Sequence, residues 1–394
     1  MKNKAVVLGS NYYIGLSVIR CLGSQGIHTV AVDYSTDGTY GARSKYCSEQ
    51  LIAPHYKKET EAFVQFLKDY AKAQDEPPVL FPCHDAYVEV IDTHLETLKE
   101  DFLIAQTEPG IQMRLMDKMQ LYPLAASLGV RVPETLSPDE PNLMERVAAE
   151  IKYPCAVKPA DSPAFMSVFH KKLFIADSPE ALTDALKRSK EAGFEMMVQR
   201  IIPGFDDHMH TFDAYMDQQG EITHWATFQK YRQYPINFGA SVYTGQKYFP
   251  ELYDIGAPFF KKLGYRGFAE IEFKKDAENG AFYLIEVNVR TTNFNTLLNK
   301  IGLNMPYIAY CDLLGKPLPP KAVIEDLNIV FQYGFEDLLA IRDYIKAGQL
   351  TASQVFRSLF VKKAPSIWDW NDPAPGFMFT GMLLDKVFAK FKRR

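Results

Sequence analysis

Residues 269–290 read AEIEFKKDAENGAFYLIEVNVR, and the organisation of the chain can be worked out from them. Apolar and polar side chains alternate through 269–273 and again through 284–290, the period of two that is typical of a strand with one face toward a core. The segment between these runs, KKDAENG, consists mostly of turn-forming residues. We therefore predict that the two strands fold back on each other as a β-hairpin.

The polar residues of this hairpin indicate a binding site. Folding back would bring Glu272 close to Glu286 and Asn288. Such oxygen ligands suit Mg²⁺, a hard cation that proteins usually share with nucleotide phosphates. Arg290 would offer a positive charge to the same anion. A second interpretation is that the charges form an ordinary solvated sheet face, and the hairpin alone does not decide between the two.

Composition narrows the class of protein. The 394 residues are 47% hydrophobic and 23% charged, which predicts a soluble globular chain of two or three domains. The formal net charge of −4 argues against a general nucleic-acid binder. We expect neither a secretion signal nor a transmembrane segment, because the apolar runs are too short. Five scattered cysteines without a CxxC pair predict reduced thiols in a cytoplasmic protein.

The N-terminal segment has a βαβ pattern. We predict strands at 5–8 and 27–32 with a helix over 14–24 between them, which resembles the start of a doubly wound sheet. The turn at 9–15 lacks the GxGxxG spacing of a dinucleotide site, although an acidic residue, Asp33, follows the second strand. Aspartate at that place is also a common cap. A dehydrogenase that binds NAD through this unit is therefore a rival hypothesis.

Strand and helix ends further along carry more candidates. After a strand expected at 79–82, Asp85 should cap a helix, and His84 either supports the structure or lines a substrate site. Lys118 lies early in a helix expected over 113–128.

Lys158 lies at the end of an apolar strand predicted over 154–159. A lysine there is costly unless its ammonium meets an anion such as phosphate or extends to solvent. Another strand, over 196–202, runs into a Pro-Gly turn that is followed by Asp206 and Asp207. Their carboxylates can accept hydrogen bonds from sugar hydroxyls, and turn capping explains them equally well.

The order of these segments resembles the ATP-grasp superfamily over roughly residues 1–320. The resemblance rests on Lys118, VKP at 157–159, VQRIIPG at 198–204, Glu272, and EVNVR at 286–290. It implies an α/β protein in three parts. An N-terminal pre-ATP-grasp, Rossmann-like βαβ domain would cover 1–112, a two-lobed α+β ATP-grasp domain 113–325 with its lid at roughly 130–195, and a small helical C-terminal extension 326–394.

The resemblance also implies ATP and Mg²⁺ as cofactors and assigns roles to matching residues. Lys118 and Lys158 would contact the ATP phosphates, and Asp206 or Asp207 the ribose. Glu272, Glu286 and Asn288 would hold Mg²⁺, and Arg290 would stabilise the transferred phosphoryl group. The hinge strand, whose backbone would bind adenine, consists of Gln199, Arg200, Ile201 and Ile202.

Three departures from the superfamily pattern are visible. The loop expected after Lys158, residues 160–168, contains no glycine, although backbone amides of a glycine-rich loop usually close over the phosphates. Gln199 and Arg200 replace the acidic residues that are common at the hinge, and Val289 replaces a frequent proline. None of these changes removes a predicted metal ligand, so we expect an active enzyme.

A stretch from Phe228 to Ser241 is a candidate for substrate recognition. In it Arg232 stands among aromatic residues and would grip a small carboxylate; an exposed β-hairpin with a cation–π pair is the alternative. With 291–293, the stretch is similar to D-aspartate ligases and related carboxylate–amine ligases. In these, ATP phosphorylates an amino-acid carboxylate, and an amine of a peptidoglycan precursor attacks the acyl phosphate. Arg290, Arg232 and Lys158 would then be catalytic.

Besides the NAD-binding dehydrogenase, two other functions stay open: a kinase or another amino-acid or dipeptide ligase of the superfamily, and a nucleotide-binding regulatory protein without turnover. The expected partners are a small carboxylate and an amine, and the sequence leaves homo-oligomerisation open. The chain ends in a basic amphipathic helix over 381–394. This helix either contacts an anionic membrane surface weakly or packs its apolar side on the domain.

Overall fold

The computed structural model describes residues 2–106, 108–160 and 162–392. Its strands form three sheets: a parallel sheet of four strands near the N-terminus, a second sheet of four, and a large sheet of eight. Within the described ranges, no helix combines the length and the apolar character that crossing a bilayer requires.

The N-terminal domain is a parallel sheet with strand order β3-β2-β1-β4, flanked by helices. All residues of β1 are buried, as expected for a parallel strand covered on both faces. The order reverses between β1 and β4, and the crevice outside such a point is where open α/β sheets bind ligands. The elements are β1 (Ala5–Leu8), α1 (Tyr13–Gly23), β2 (Thr29–Asp33), a 3₁₀ turn (Tyr40–Arg43), β3 (Glu49–Ile52), α2 (Thr60–Lys72), β4 (Val79–Pro82), α3 (Asp85–Thr93) and α4 (Leu95–Leu98).

The turn between β1 and α1 is held by its own residues. Gly9 adopts φ +97°, and a Cβ on Gly15 would lie 2.1 Å from the Gly9 carbonyl oxygen, so the helix can start this close to the strand only with glycine there. Asp33 accepts hydrogen bonds from the Asn11 amide at 3.0 Å and the Ser10 hydroxyl at 3.4 Å. Asp33 therefore secures the turn, as the capping interpretation predicted.

The second sheet has the strand order β5-β8-β6-β7 and covers the region predicted to be the lid, the name used for it below. Its apolar core is separate from the others and includes Val157, Phe165 and Val198. The chain reaches it through α5 (Ile111–Met116) and α6 (Lys118–Ser127). The lid comprises β5 (Thr135–Leu136), α7 (Leu143–Arg146), a π-helical turn (Val147–Ile151), β6 (Cys155–Pro159), α8 (Ser162–Phe169), β7 (Phe174–Ala176), α9 (Pro179–Glu191) and β8 (Met196–Arg200).

The segment after Lys158 is a helix, α8, and the expectation of a loop was wrong. Phe165 is fully buried, with its ring centroid 4.6 Å from Phe169 and 5.1 Å from Phe174. Two aromatic residues four apart lie on one helix face, so packing on the lid core stabilises the helical form of this segment.

The large sheet has the order β13-β12-β9-β10-β11-β15-β16, and β14 pairs with β10. The hairpin predicted at 269–290 is present as antiparallel β12 and β13. A short 3₁₀ turn (Asp206–His208) precedes the sheet. Its elements are β9 (Met209–Met216), β10 (Ile222–Tyr234), β11 (Ala240–Gln246), α10 (Pro250–Leu263), β12 (Gly267–Lys275), β13 (Phe282–Asn288), α11 (Asn295–Lys300), α12 (Met305–Leu313) and β14 (Lys321–Val323).

The C-terminal extension is not only helical, which corrects the prediction. Its strands complete the large sheet, because β15 pairs with β11 and β16 pairs with β15. Each strand is four residues long, too short for an alternating pattern to stand out. The extension contains β15 (Ile329–Gln332), α13 (Gly334–Lys346), α14 (Ala352–Leu359), β16 (Lys362–Pro365) and α15 (Ala374–Lys392).

The final helix, α15, packs on the N-terminal domain through its first half. The ring of Phe379 lies 5.5 Å from that of Tyr40, whereas Leu384 and Phe388 are exposed. Within the predicted helix, 381–394, Met382 packs against the large core whereas Leu384 and Phe388 are exposed, so packing of its apolar side is not confirmed for that helix as a whole. Residues 393 and 394, and the side chains of 389–392, lie outside the description, so the predicted membrane contact of the basic end stays a prediction.

One hydrophobic core fixes the N-terminal domain against the large sheet. It contains Leu16 of α1, Tyr215 of β9 and Leu298 of α11, all fully buried. The Arg20 guanidinium also donates to the buried Asp372 carboxylate at 2.8 Å. The N-terminal domain, with the crevice between β1 and β4, therefore packs directly on the sheet that carries the β12–β13 hairpin.

Candidate active site

The β12–β13 hairpin brings the three predicted metal ligands together. Glu272 lies opposite Glu286, and Asn288 lies opposite Glu270. The Asn288 amide donates to Glu270 Oε1 at 2.7 Å and contacts Glu272 Oε1 at 3.4 Å. Two carboxylates and an amide oxygen from adjacent strands form a donor set that fits Mg²⁺. The described residues contain no group of three or more His, Cys, Asp or Glu arranged to hold a metal, and in the predicted set the third ligand is an amide.

Two lysines neutralise these carboxylates. Lys118 Nζ lies 3.4 Å from Glu286 Oε1, and Lys230 Nζ lies 2.6 Å from Glu272 Oε1. Burial alone would lower the pKa of Lys230, but the charges of Glu272 and Glu270 outweigh it and raise the pKa. Burial likewise disfavours an ionised Glu286, yet Lys118 and further lysines lower its pKa to about 2. Glu286 is therefore ionised at neutral pH.

Lys118 is presented by the first turn of α6. Asp117 caps this helix, since its carboxylate accepts from the Met119 amide at 2.9 Å. Capping fixes where the helix begins and hence where the Lys118 side chain starts. Asp117 is thus a structural residue that positions its neighbour Lys118, which contacts Glu286.

Lys158 lies in the lid with a neutral partner. Its ammonium donates to Gln199 Oε1 at 2.5 Å, and Gln199 in turn donates to the Thr135 hydroxyl at 2.9 Å. Burial, together with the charge of Lys118, lowers the pKa of Lys158 to about 8. A buried ammonium beside another cation favours the arrival of an anion, as the phosphate interpretation requires.

Lys172 and Lys230 belong to this cluster and were missed in the sequence. Lys172 follows α8, and burial lowers its pKa while Glu286 and Glu272 act against the shift. Lys230 precedes Arg232 by two residues on β10, so simple alternation would place both on one face. Register shifts between Lys230 and Gln233 break that alternation, and only Lys230 turns toward the carboxylates.

Arg232 is not brought to the carboxylate cluster. It is 3% exposed and donates to both oxygens of Asp337, at 2.5 Å and 2.8 Å. Its guanidinium lies 3.8 Å from the centroid of the Tyr243 ring. The geometry is that of the alternative interpretation, a hairpin with a cation–π pair, although the pair is buried and not exposed.

Asp206 and Asp207 differ in their exposure to solvent. Asp206 is 1% exposed and accepts hydrogen bonds from the Gln233 amide at 2.6 Å, the Asn237 backbone at 2.7 Å and the Tyr344 hydroxyl. Asp207 is exposed, and its carboxylate lies 2.9 Å from His208 Nδ1. Only Asp207 retains access to a ligand in solvent.

The predicted hinge residues lie where the lid meets the large sheet. Gln199 and Arg200 end β8, and Ile201 and Ile202 follow directly. The Arg200 guanidinium lies 2.9 Å from Asp276 in the turn after β12. The hinge strand is thereby tied to the hairpin that carries the carboxylates.

Arg290 joins the site to the N-terminal domain. Its guanidinium donates to both oxygens of Asp85, at 2.6 Å and 3.2 Å, and lies 3.5 Å from Asn288 Oδ1. Burial opposes the charge, but Asp85 raises the pKa of Arg290. His84, not Asp85, caps α3, because its Nδ1 accepts from the Ala86 amide at 3.3 Å, which corrects the expected cap.

Two buried acids behind the ligands also escaped sequence reasoning. Glu270 is 2% exposed and accepts from the Thr292 hydroxyl at 2.6 Å. Burial, reinforced by Glu272, raises the pKa of Glu270 to about 7. Asp213 lies opposite Glu270 on β9, and burial raises the pKa of its carboxyl as well. The alternation of β12 places Glu270 and Glu272 on one face, which was the available signal.

The lid, the large sheet and the lysine-ringed carboxylates have the arrangement that the resemblance to the ATP-grasp superfamily implied. Residues 117–310 match the family of the carbamoyl-phosphate synthase L chain, ATP binding domain. The chain therefore contains an ATP-grasp ATP-binding domain, and the predicted α/β, two-lobed ATP-grasp fold is confirmed, with the difference that the C-terminal extension also contains strands.

Individual proteins are similar over most of the chain. D-aspartate ligase of Enterococcus faecium is 27% identical, with 69% of this chain and 68% of that protein covered. The biotin carboxylase domain of Hydrogenobacter thermophilus 2-oxoglutarate carboxylase, a dimer with MgADP, ADP and bicarbonate, superposes with a TM-score of 0.66 at 17% identity, covering 84% of this chain and 74% of that one. N5-carboxyaminoimidazole synthetase of Staphylococcus aureus, in complex with ADP, superposes with a TM-score of 0.64 at 16% sequence identity, covering 83% of this chain and 81% of that one. The family match and the relative support an ADP-forming ligase.

Proposed function

We propose that the protein is an ATP- and Mg²⁺-dependent carboxylate–amine ligase. Its carboxylate substrate is an acidic amino acid such as D-aspartate, and its amine substrate belongs to a peptidoglycan precursor. The observation that carries the proposal is the cluster of paired Glu272 and Glu286 with Asn288, ringed by lysines and adjoining Arg290 at the crevice between β1 and β4. Similarity to a D-aspartate ligase supports the choice of substrate.

The residues of the chain divide the work of phosphoryl transfer. Glu272, Glu286 and Asn288 would hold Mg²⁺, which supplies charge neutralisation for the nucleotide phosphates. Lys118 and Lys158 would bind those phosphates from the two sides of the cleft. Phosphoryl transfer depends mainly on positioning and on offsetting charge, and these ionised side chains supply both.

The reaction itself has two displacements. A carboxylate oxygen of the substrate, held near Arg290, attacks the γ-phosphorus, and the bond to ADP breaks. The amine then attacks the acyl carbon, the carbon–oxygen bond to phosphate breaks, and the amine loses a proton. Lys158 and Lys172 both come from the lid, so its closure would add their charge and exclude water from the acyl phosphate.

A second candidate is a nucleotide-binding regulatory protein without turnover. It is favoured by α8, which replaces the usual glycine-rich loop. Backbone N–H groups inside a helix are already hydrogen-bonded, which leaves fewer of them for phosphate oxygens. This candidate predicts that nucleotide binds but that no ADP is released with any carboxylate.

The test is ADP release from Mg-ATP with D- and L-amino acids, each with and without a lysine-containing peptide as acceptor. We expect stimulation by one acidic amino acid and amide formation only when the acceptor is present. A dipeptide ligase would form product without the added amine. If nucleotide binds but no amino acid in the panel stimulates ADP release, the ligase is rejected and the regulatory candidate is favoured.

A further inference from the structure

The large apolar side chains at α14 are turned to solvent. No residue of this helix, which lies wholly within the described ranges, is buried. Phe356, Leu359 and Phe360, the residue that follows the helix, are 62%, 61% and 75% exposed, and the rings of Phe356 and Phe360 lie 5.1 Å apart. Residues spaced three and four apart lie on one side of a helix, so these three side chains form one surface, the α14 patch.

The helix that carries the α14 patch is anchored at both ends. Thr351 begins it with a capping box: its hydroxyl accepts from the Gln354 amide at 3.3 Å, and Gln354 Oε1 accepts from the Thr351 backbone at 2.8 Å. Near its end, the Tyr243 hydroxyl of β11 donates to the Ser358 carbonyl at 3.2 Å. An exposed apolar patch on an anchored helix marks an interaction surface.

Positive charge surrounds the α14 patch. Residues 344–368 contain four basic residues and no acidic one, although the whole chain has a net charge of −4. The Lys363 ammonium donates to the Leu359 carbonyl at 2.8 Å, which places it at the edge of the patch. Arg357 and Lys362 are exposed. Apolar side chains with cations beside them are typical of helices that lie in the interface of an anionic membrane.

We propose that the α14 patch docks on the surface of an anionic lipid membrane. Its apolar side chains enter the interfacial layer, and the neighbouring cations contact the lipid phosphates. The inference does not depend on the proposed function, and α14 is a separate helix from α15, for whose basic end the sequence predicted a weak contact. Isologous pairing of two copies through the patch would bring like charges together, so the charge favours lipid over a second copy.

Docking through α14 leaves the carboxylate cluster accessible. Lys230, which contacts Glu272, lies opposite Thr244 of β11. Adjacent residues of a strand point to opposite faces of a sheet, so Tyr243, which holds α14, lies on the other face of the large sheet. The membrane would therefore meet the protein on the side of this sheet that is turned away from the predicted metal ligands.

The test is co-sedimentation of the whole chain with vesicles of phosphatidylcholine, with and without phosphatidylglycerol. We expect binding when phosphatidylglycerol is present, and weaker binding at high salt. Phe356→Ser/Phe360→Ser should lower the partition coefficient about 10–100-fold, because two aromatic side chains no longer enter the apolar layer. Lys362→Gln/Lys363→Gln should lower it about 10–30-fold, since each basic residue near an anionic surface strengthens binding about fivefold.

Matched controls carry the same changes on other surfaces. Ile324→Ser removes an exposed apolar side chain next to β14, and Lys187→Gln/Lys190→Gln removes two exposed lysines of α9 in the lid. Neither should change vesicle binding. Thermal unfolding shows whether each variant is folded, and if one α14 variant is not, the other still decides.

Three results would overturn the proposal. The first is a wild type that does not bind vesicles with phosphatidylglycerol. The second is unchanged binding in both α14 variants; its loss in Phe388→Ser would then assign the contact to α15. The third is a wild-type dimer in sedimentation velocity that Phe356→Ser/Phe360→Ser converts to a monomer, which would assign the patch to a second copy of the chain.

Discussion

Two groups of polar residues, each built around side chains that the sequence predicted to serve the same reaction, occupy opposite kinds of environment. The hairpin cluster, which comprises Glu272, Glu286, Asn288, Lys118 and Lys230, opens to solvent, with the Glu286 side chain 42% exposed. The Arg232 group, which comprises Arg232, Asp337, Asp206 and Tyr344, is sealed, and its members satisfy one another. We infer that a charged side chain whose hydrogen-bond partners in the protein are incomplete is available to a ligand. A charged side chain that is fully paired within the protein stabilises the fold instead.

The largest expected effect is a loss of stability when the Arg232 group is disrupted. Replacing Arg232 with methionine leaves the Asp337 carboxylate buried without its partner, so we expect the free energy of unfolding to fall by about 3–5 kcal/mol. Urea denaturation followed by circular dichroism measures it. Arg342→Met, an exposed arginine on α13, should leave stability essentially unchanged. A stable Arg232→Met protein with abolished ADP release would instead support the catalytic role that the resemblance implies.

The next effect is a loss of activity when the hairpin cluster is changed. Glu286→Gln removes a negative charge from the predicted metal site, and we expect ADP release to fall about 100–1,000-fold, equivalent to about 2.7–4 kcal/mol. Thermal unfolding should change little, because the side chain is partly exposed. Glu278→Gln, in the turn of the same hairpin, serves as the control and should be fully active. A variant with near-normal turnover would show that Glu286 is not a ligand.

A smaller effect should appear as a pH dependence. With its pKa lowered to about 8, Lys158 is charged at pH 7 and largely neutral at pH 9. Loss of the ammonium weakens binding of an anionic phosphate, so the Kd of an ATP analogue should rise about tenfold from pH 7 to 9. Burial also lowers the pKa of Lys172, and Lys158→Met isolates the contribution of Lys158. An equally steep rise in that variant would assign the dependence to another group.

The same contrast explains what the sequence could reveal. The hairpin is local and alternating, so the proximity of Glu272, Glu286 and Asn288 could be predicted from spacing. Arg232 is paired with Asp337, 105 residues away in the sequence, and Asp206 accepts a hydrogen bond from Tyr344, 138 residues away. Lys230 escaped because a bulge in β10 breaks the alternation. Partners that arrive through tertiary folding leave no local pattern, so a sequence indicates which side chains carry charge but not which charges are already satisfied.

The smallest effect sharpens the comparison within one pair of neighbours. If Asp207 accepts a hydrogen bond from the ribose, Asp207→Ala should raise the KM for ATP about 2–10-fold, the range of a single exposed hydrogen bond. The matched change Asp206→Asn should lower stability instead, because it disturbs the buried contacts with Gln233 and Tyr344. Wild type assayed with 2′-deoxy-ATP or 3′-deoxy-ATP identifies the hydroxyl involved. Unless one of these analogues removes the difference between wild type and Asp207→Ala, Asp207 is only a surface partner of His208, and both aspartates of the turn then belong to the fold.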